Sequence, residues 1–114
     1  MKWIFIPKMK IHFIGSTVDV TGSMSLIETN EGKILIDSGL YQGVDEIVKR
    51  NLIPLPFNPK EIKAIILTHA HLDHSGFIPR LVKLGFRGTI HCTKPTMKLA
   101  RIIMNDSAHL LENP

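Results

Sequence analysis

Residues 64–76 read Ala64-Ile65-Ile66-Leu67-Thr68-His69-Ala70-His71-Leu72-Asp73-His74-Ser75-Gly76. An apolar run of strand length ends in a short polar segment that holds three of the chain's six histidines and an aspartate. Neutral imidazole and carboxylate are the donors that suit zinc and related transition metals. His69 and His71 lie two positions apart at a strand end, where a turning backbone lets both rings reach one ion. Asp73 and His74 are adjacent, so their side chains are expected to diverge. The first pair is therefore assigned to one metal and the second pair to a neighbouring one, with a single-ion site as the alternative on these residues alone. Two ions about 3.5–4 Å apart can stabilise both oxygens of a displacement, which makes the expected chemistry hydrolytic. The blander readings are a solvated histidine-rich loop and a helix-capping Asp73. A closed structural zinc site would call for several cysteines, and the chain has one, Cys92.

Working outward from this segment, residues 9–14 alternate, with Ile11 and Phe13 on one face, and predict a strand. Residues 24–29 and 33–37 predict two more, joined by Asn30-Glu31-Gly32 as a hairpin with a left-handed residue at Gly32. Residues 44–50 predict a short helix, and 52–59, with three prolines, a loop. The run 64–67 is apolar throughout and expected to be central in a sheet. A helix is predicted over 77–84, with Pro79 tolerated in its first turn and Gly85 ending it. A short strand over 89–92 follows, then a helix opened by Pro95 and running to about Leu111. Its buried stripe is expected to be Met97, Ala100, Ile103 or Met104, and Ala108 or Leu111. The order β-β-β-α-β-α-β-α, a hairpin followed by crossover units, predicts an α/β layered architecture.

At 114 residues with 44% apolar content, the chain is one domain or part of one. A lone Cys92 excludes an internal disulfide and points to a reducing compartment; it is read as a small strand residue. Only four consecutive apolar residues precede Pro7 and Lys8, too few for a signal-peptide core, and no later run has membrane-spanning length. The expectation is a cytoplasmic protein without membrane contact. The formal charge of +4 suits a polyanionic substrate, but the basic residues look scattered, without a stripe interleaved by aromatics.

Asp37 ends an apolar strand, where a carboxylate is costly without a partner. Metal-bound histidines donate their second N–H to such groups, so Asp37 is assigned to support a ligand; a turn-capping aspartate in Asp37-Ser38-Gly39 is the alternative. His12 is expected on the surface, His91 as a satisfied structural residue in a strand, and His109 on an exposed helix face. None of these is expected to be a ligand.

The segment Thr68-His69-Ala70-His71-Leu72-Asp73-His74-Ser75-Gly76 resembles the hallmark motif of the metallo-β-lactamase superfamily. Asp37-Ser38-Gly39-Leu40-Tyr41-Gln42-Gly43 resembles a loop of its β-CASP branch. So do Ser75-Gly76-Phe77-Ile78-Pro79 and the helix that opens at Pro95-Thr96 and carries Asp106-Ser107-Ala108. That branch includes RNA-processing nucleases such as the cleavage and polyadenylation factor subunit and ribonuclease J. The resemblance spans roughly residues 10–110 and implies an αββα sandwich with two zinc ions. By position, His69 and His71 would serve the first zinc, Asp73 and His74 the second, and Asp37 would support the site. Asp73 is thereby marked as a catalytic as well as a metal residue. The implied chemistry is hydrolysis of RNA phosphodiesters by a hydroxide activated between two metals.

The family completes its site with a further histidine, a bridging aspartate and a last histidine, none within these 114 residues. The expectation is a single partial domain over 1–114, the N-terminal half of the sandwich, with the β-CASP insertion and C-terminal half absent. Half a sandwich exposes the sheet face its other half covers, so self-association or a partner chain is expected there. Two alternatives to a ribonuclease are carried: a hydrolase of thioester- or lactone-type small molecules, and a non-catalytic half-domain that works by pairing with another chain.

Overall fold

A computed structural model describes residues 2–6, 9–15, 22–40, 51 and 54–112, with 2–6 and 107–112 described by backbone alone. It places six strands in one sheet in chain order: β1 (Lys2–Ile6), β2 (Met9–Phe13), β3 (Ser25–Thr29), β4 (Gly32–Ile36), β5 (Ile62–Ile66) and β6 (Thr89–His91). The helices are α1 (Leu72–Ser75), α2 (Ile78–Lys83) and α3 (Lys94–Glu112). The expected α/β order is present, with two additions: strand β1 at the N-terminal edge and the one-turn helix α1 inside the histidine segment. The helix expected over 44–50 lies outside the described residues.

The sheet changes character at β4. Strands β1 to β4 form an antiparallel meander, while β4, β5 and β6 run parallel. The tight connection between β3 and β4 explains the first half. Thr29 pairs with Gly32, and Gly32 holds a φ of +137°, a region β-carbons disfavour. Parallel pairing needs crossovers that return the chain to the same end; α1 and α2 supply the one between β5 and β6.

The register defines two unlike faces. His12, Leu26, Leu35 and Ile65 lie in one cross-strand row, and all four are buried. This row meets Phe77, Ile78, Leu81 and Ala100 from the helical layer in a single core. His12 is therefore not the surface residue its alternation suggests. Lys10 and His12 form the polar-looking row of β2, where Lys10 is exposed but His12 is buried, and burial pushes the His12 pKa below its ordinary value.

The opposite row, Ile11, Ile27, Ile34 and Ala64, is only half-buried, and Ile66 beside it is 40% exposed. An apolar second face is the surface that a two-sheet sandwich covers. Strand β5 is next to the edge of the sheet but is paired on both sides, and one of its faces is open.

Helix α3 buries Ala100, with Ile103 and Met104 packed at the edge of the core. Met97 departs from the expected stripe: it is 40% exposed. The side chains of Ala108, His109 and Leu111 lie outside the described set. His91 sits exposed on edge strand β6, its Nε2 2.8 Å from Thr89 Oγ1, and is not a core residue. Among the described residues no helix is long and apolar enough to cross a membrane.

Candidate metal centre

The site is built where parallel strands end. Past β4 the ladder continues for one bond, from Asp37 N–H to Ile66 O (2.9 Å), and past β5 Leu67 N–H bonds His91 O (2.9 Å). These bonds bring the ends of β4, β5 and β6 together and launch the histidine segment from the middle strand. The backbone of α1 is then fastened to the segments after β4 and before β3. Ser38 N–H donates to His74 O, Leu40 N–H to Leu72 O, and Ser23 N–H to Asp73 O, each at 2.8 Å. The Ser75 hydroxyl, fully buried, donates to Ala70 O at 2.8 Å.

Gly39 is required by this clamp. A β-carbon on it would lie 1.7 Å from Asp73 O, so the two backbones pack where only glycine fits. Asp37 has a φ of +61° and is the sole non-glycine with positive φ among the described residues. Aspartate tolerates that left-handed conformation better than most residues, and the kink turns its carboxylate back into the site.

Asp37 is buried and organises two neighbours, Thr68 and His74. Its Oδ1 accepts from Thr68 N–H (2.7 Å); its Oδ2 accepts from the Thr68 hydroxyl (2.7 Å) and lies 2.8 Å from His74 Nδ1. A carboxylate only accepts, so His74 carries its proton on Nδ1 and offers the Nε2 lone pair to the site. Thr68 uses its only proton on Asp37. Its oxygen, 3.3 Å from His69 Nδ1, must therefore accept there, which leaves His69 Nε2 free as a ligand. One carboxylate thus sets the tautomer of two histidines, directly and through Thr68.

The ligand atoms of His69, His71 and Asp73 all lie within 4.8 Å of one another. His74 borders this group: its Nε2 is 3.7 Å from Asp73 Oδ2, and its ring centroid is 3.7 Å from that of His69. The adjacent Asp73 and His74 side chains therefore converge at their tips, where divergence was expected. The first turn of a helix holds them, and Asp37 pulls the His74 ring round. His71 precedes α1 without capping it through its side chain, so its imidazole remains available. Two imidazoles and a carboxylate within reach of one point fit a divalent transition metal, and His74 offers a fourth donor beside it.

The expected site residues His69, His71, Asp73, His74 and Asp37 are thus brought together. Three contributions were not read from the sequence: Thr68 as the bridge to His69, the Ser38–Gly39 clamp on α1, and a line of cations on α3. Lys94, Lys98 and Arg101 are exposed and recur at i, i+4 and i+7, which the eye scanning a sequence takes as scatter.

The Metallo-beta-lactamase superfamily profile matches residues 17–113. The chain belongs to this superfamily. It is 40% identical over 93% of its length to Ribonuclease TTHA0252 of Thermus thermophilus, and 39% identical over 86% to the transcription termination factor FttA of Methanosarcina mazei. Relatives of this kind agree with the β-CASP features around Asp37 and Ser75. The chain spans 24% and 16% of the lengths of these relatives. Among solved structures, a metallo-beta-lactamase from Cronobacter sakazakii superposes with a TM-score of 0.51 at 30% identity, covering 84% of this chain and 36% of that one. The sheet with its helical layer is therefore the superfamily's fold in part, and the histidine–aspartate group sits within a family that uses metal ions.

Proposed function

We propose that the chain forms the amino-terminal part of a zinc-dependent ribonuclease that hydrolyses RNA phosphodiesters in the cytoplasm. The observation that carries this reading is the convergence of His69, His71 and Asp73 on one point, in a chain 40% identical to a ribonuclease. His69 and His71 would hold one zinc, and Asp73, within reach of both, would turn with His74 towards a second. Bound there, the ions would supply Lewis-acid stabilisation of phosphoryl oxygens and an activated water. The chain's own residues do the positioning. Asp37 and Thr68 fix the rings, and the Gly39–Asp73 contact fixes the height of the aspartate. The remaining ligands, and the layer that covers the open face of the sheet, come from further polypeptide, within the same protein or from a partner chain.

The test has two arms. Zinc content and cleavage of a labelled RNA are measured for the chain and for its His69→Ala and Asp73→Ala variants, in the 114-residue form and with each substitution placed in a full-length relative. Chelator-sensitive cleavage in the relative, lost with either substitution, and zinc bound by the unsubstituted chain but not by its variants support the proposal. Unchanged zinc content and rate in both variants would overturn the site. Hydrolysis of thioesters or lactones without RNA cleavage would replace the substrate, and absence of zinc binding together with tight pairing to another chain would replace the enzyme with a half-domain.

A further inference from the structure

Several described cations of this protein are engaged in contacts within the chain. Lys33 binds Glu28 and Glu61, Lys63 donates to Glu31 O, Arg87 donates to Val82 O and Phe86 O, and Arg80 lies over the Phe77 ring. Lys94, Lys98 and Arg101, like Lys60 and Lys83, make no such contact among the described residues, and these three share one helix. All are exposed, and among the described residues none of them forms an ion pair. At helical periodicity they fall within roughly 60° of arc, opposite the stripe that buries Ala100 and Ile103. They are spaced by about 6 Å and about 4.5 Å along the axis. Asn105, also exposed, continues the line.

The position of the line gives it direction. Helix α3 begins three residues after His91, whose carbonyl accepts from Leu67 N–H, one residue before Thr68. Its first turn therefore leaves the sheet one strand away from the metal loop, a step of about 4.8 Å. The helix also packs on α1, which carries Asp73 and His74. The cations start at the metal end and run away from it for about 10 Å. Evenly spaced, unpaired positive charge on a rigid rod fits a polyanion with regularly repeated charge.

We propose that Lys94, Lys98 and Arg101 form a track that holds the phosphodiester backbone of single-stranded RNA as it leaves the metal loop. This rests on the ribonuclease reading for the identity of the polyanion. Contacts of this type carry no base preference, and they make affinity fall with salt. Three neutralised phosphates on a single strand give a slope of log affinity against log salt of about −2, or a roughly tenfold to twentyfold loss between 50 and 200 mM.

The test is fluorescence anisotropy of a labelled single-stranded RNA with the chain in chelator, so that no cleavage intervenes, across a salt series. A Lys94→Gln, Lys98→Gln, Arg101→Gln triple variant should bind at least tenfold more weakly at low salt, with the slope flattened by about 2. A charge-matched control, Lys60→Gln, Lys63→Gln, Lys83→Gln, should retain most of the slope. Equal losses in both variants, or an unchanged slope in the first, would overturn the track. The ribonuclease reading is judged separately, by zinc-dependent cleavage in the full-length relative. A stripe-dependent slope without cleavage upholds the track and removes the enzyme, whereas cleavage with an unchanged slope does the reverse.

Discussion

Replacing Asp37 by Asn is the sharpest test of the metal centre. The side chain keeps its shape, and Asn tolerates the positive φ at this position, so backbone strain is not added. The amide oxygen must stay on Thr68 N–H, now 2.7 Å from Oδ1, because the reverse orientation sets two donors against each other. The amide nitrogen then replaces Oδ2, which at present accepts from the Thr68 hydroxyl and His74 Nδ1. A donor in that place forces His74 to carry its proton on Nε2, the atom that faces the site. It also turns the Thr68 hydroxyl to accept from the amide, so its proton points at His69 Nδ1 and moves that ring's proton to Nε2 as well. Two ligands lose the lone pair they would offer. Loss of one supporting carboxylate costs about 10–100-fold in metal affinity, and two misprotonated rings place this variant near the upper end, about 100-fold or about 2.7 kcal/mol. Competition with a chelating fluorophore at neutral pH measures it. Thr68→Val, which disturbs His69 alone, should lose less, about tenfold. Zinc affinity within threefold of the parent for Asp37→Asn would refute the tautomer argument.

Three further outcomes are expected. Gly39→Ala sets a β-carbon 1.7 Å from Asp73 O and must move one backbone, so zinc binding should be lost with a destabilisation of about 2 kcal/mol or more in urea; a native-like midpoint would contradict the close approach. Leu35→Ala empties a fully buried position in the centre of the sheet and should cost about 2–5 kcal/mol by the same measurement, whereas a loss below 1 kcal/mol would mean the helical layer does not close over that row. Burial holds His12 below its ordinary 6.5, so the unfolded chain takes up that proton first: its contribution is whole above pH 6.5 and is lost as pH falls through the depressed folded value, at up to about 1.4 kcal/mol per unit. In chelator, His12→Leu should flatten the decline in stability between pH 7 and pH 5, and an identical decline in both proteins would place His12 in water.

Strands β2 to β6, helices α2 and α3 and the clustering of the candidate ligands were legible because each leaves a local mark, whereas β1 and the one-turn α1 were not read. The run 64–67 has strand length and composition, the hairpin is marked by Gly32, and the ligands lie within six consecutive positions. What was illegible depends on partners far away in the chain. Alternation in β2 separates Ile11 and Phe13 from Lys10 and His12, but it does not say which residues the rest of the chain buries: His12 lies in the row of Leu26, Leu35 and Ile65, while Ile11 and Phe13 stay half-buried. The left-handed Asp37 and the close approach at Gly39 follow from the docking of α1, and the tip-to-tip meeting of Asp73 and His74 follows from Asp37. The cation line on α3 becomes visible only once the helix is wound.

The change from antiparallel to parallel pairing at β4 also orders events in time. The meander closes through short connections, whereas Asp37 meets Thr68 across 31 positions and His74 across 37. Long closures form late, after local hairpins have paid no comparable entropy. The histidine rings therefore acquire their settled tautomers only when the last strands dock, and a nascent chain presents no finished cage to whichever ion it meets first. An ion taken up after docking would join His69, His71 and Asp73, all in the segment after β5, so it would brace that loop and the start of α1. Its withdrawal should loosen that loop while the meander stays closed.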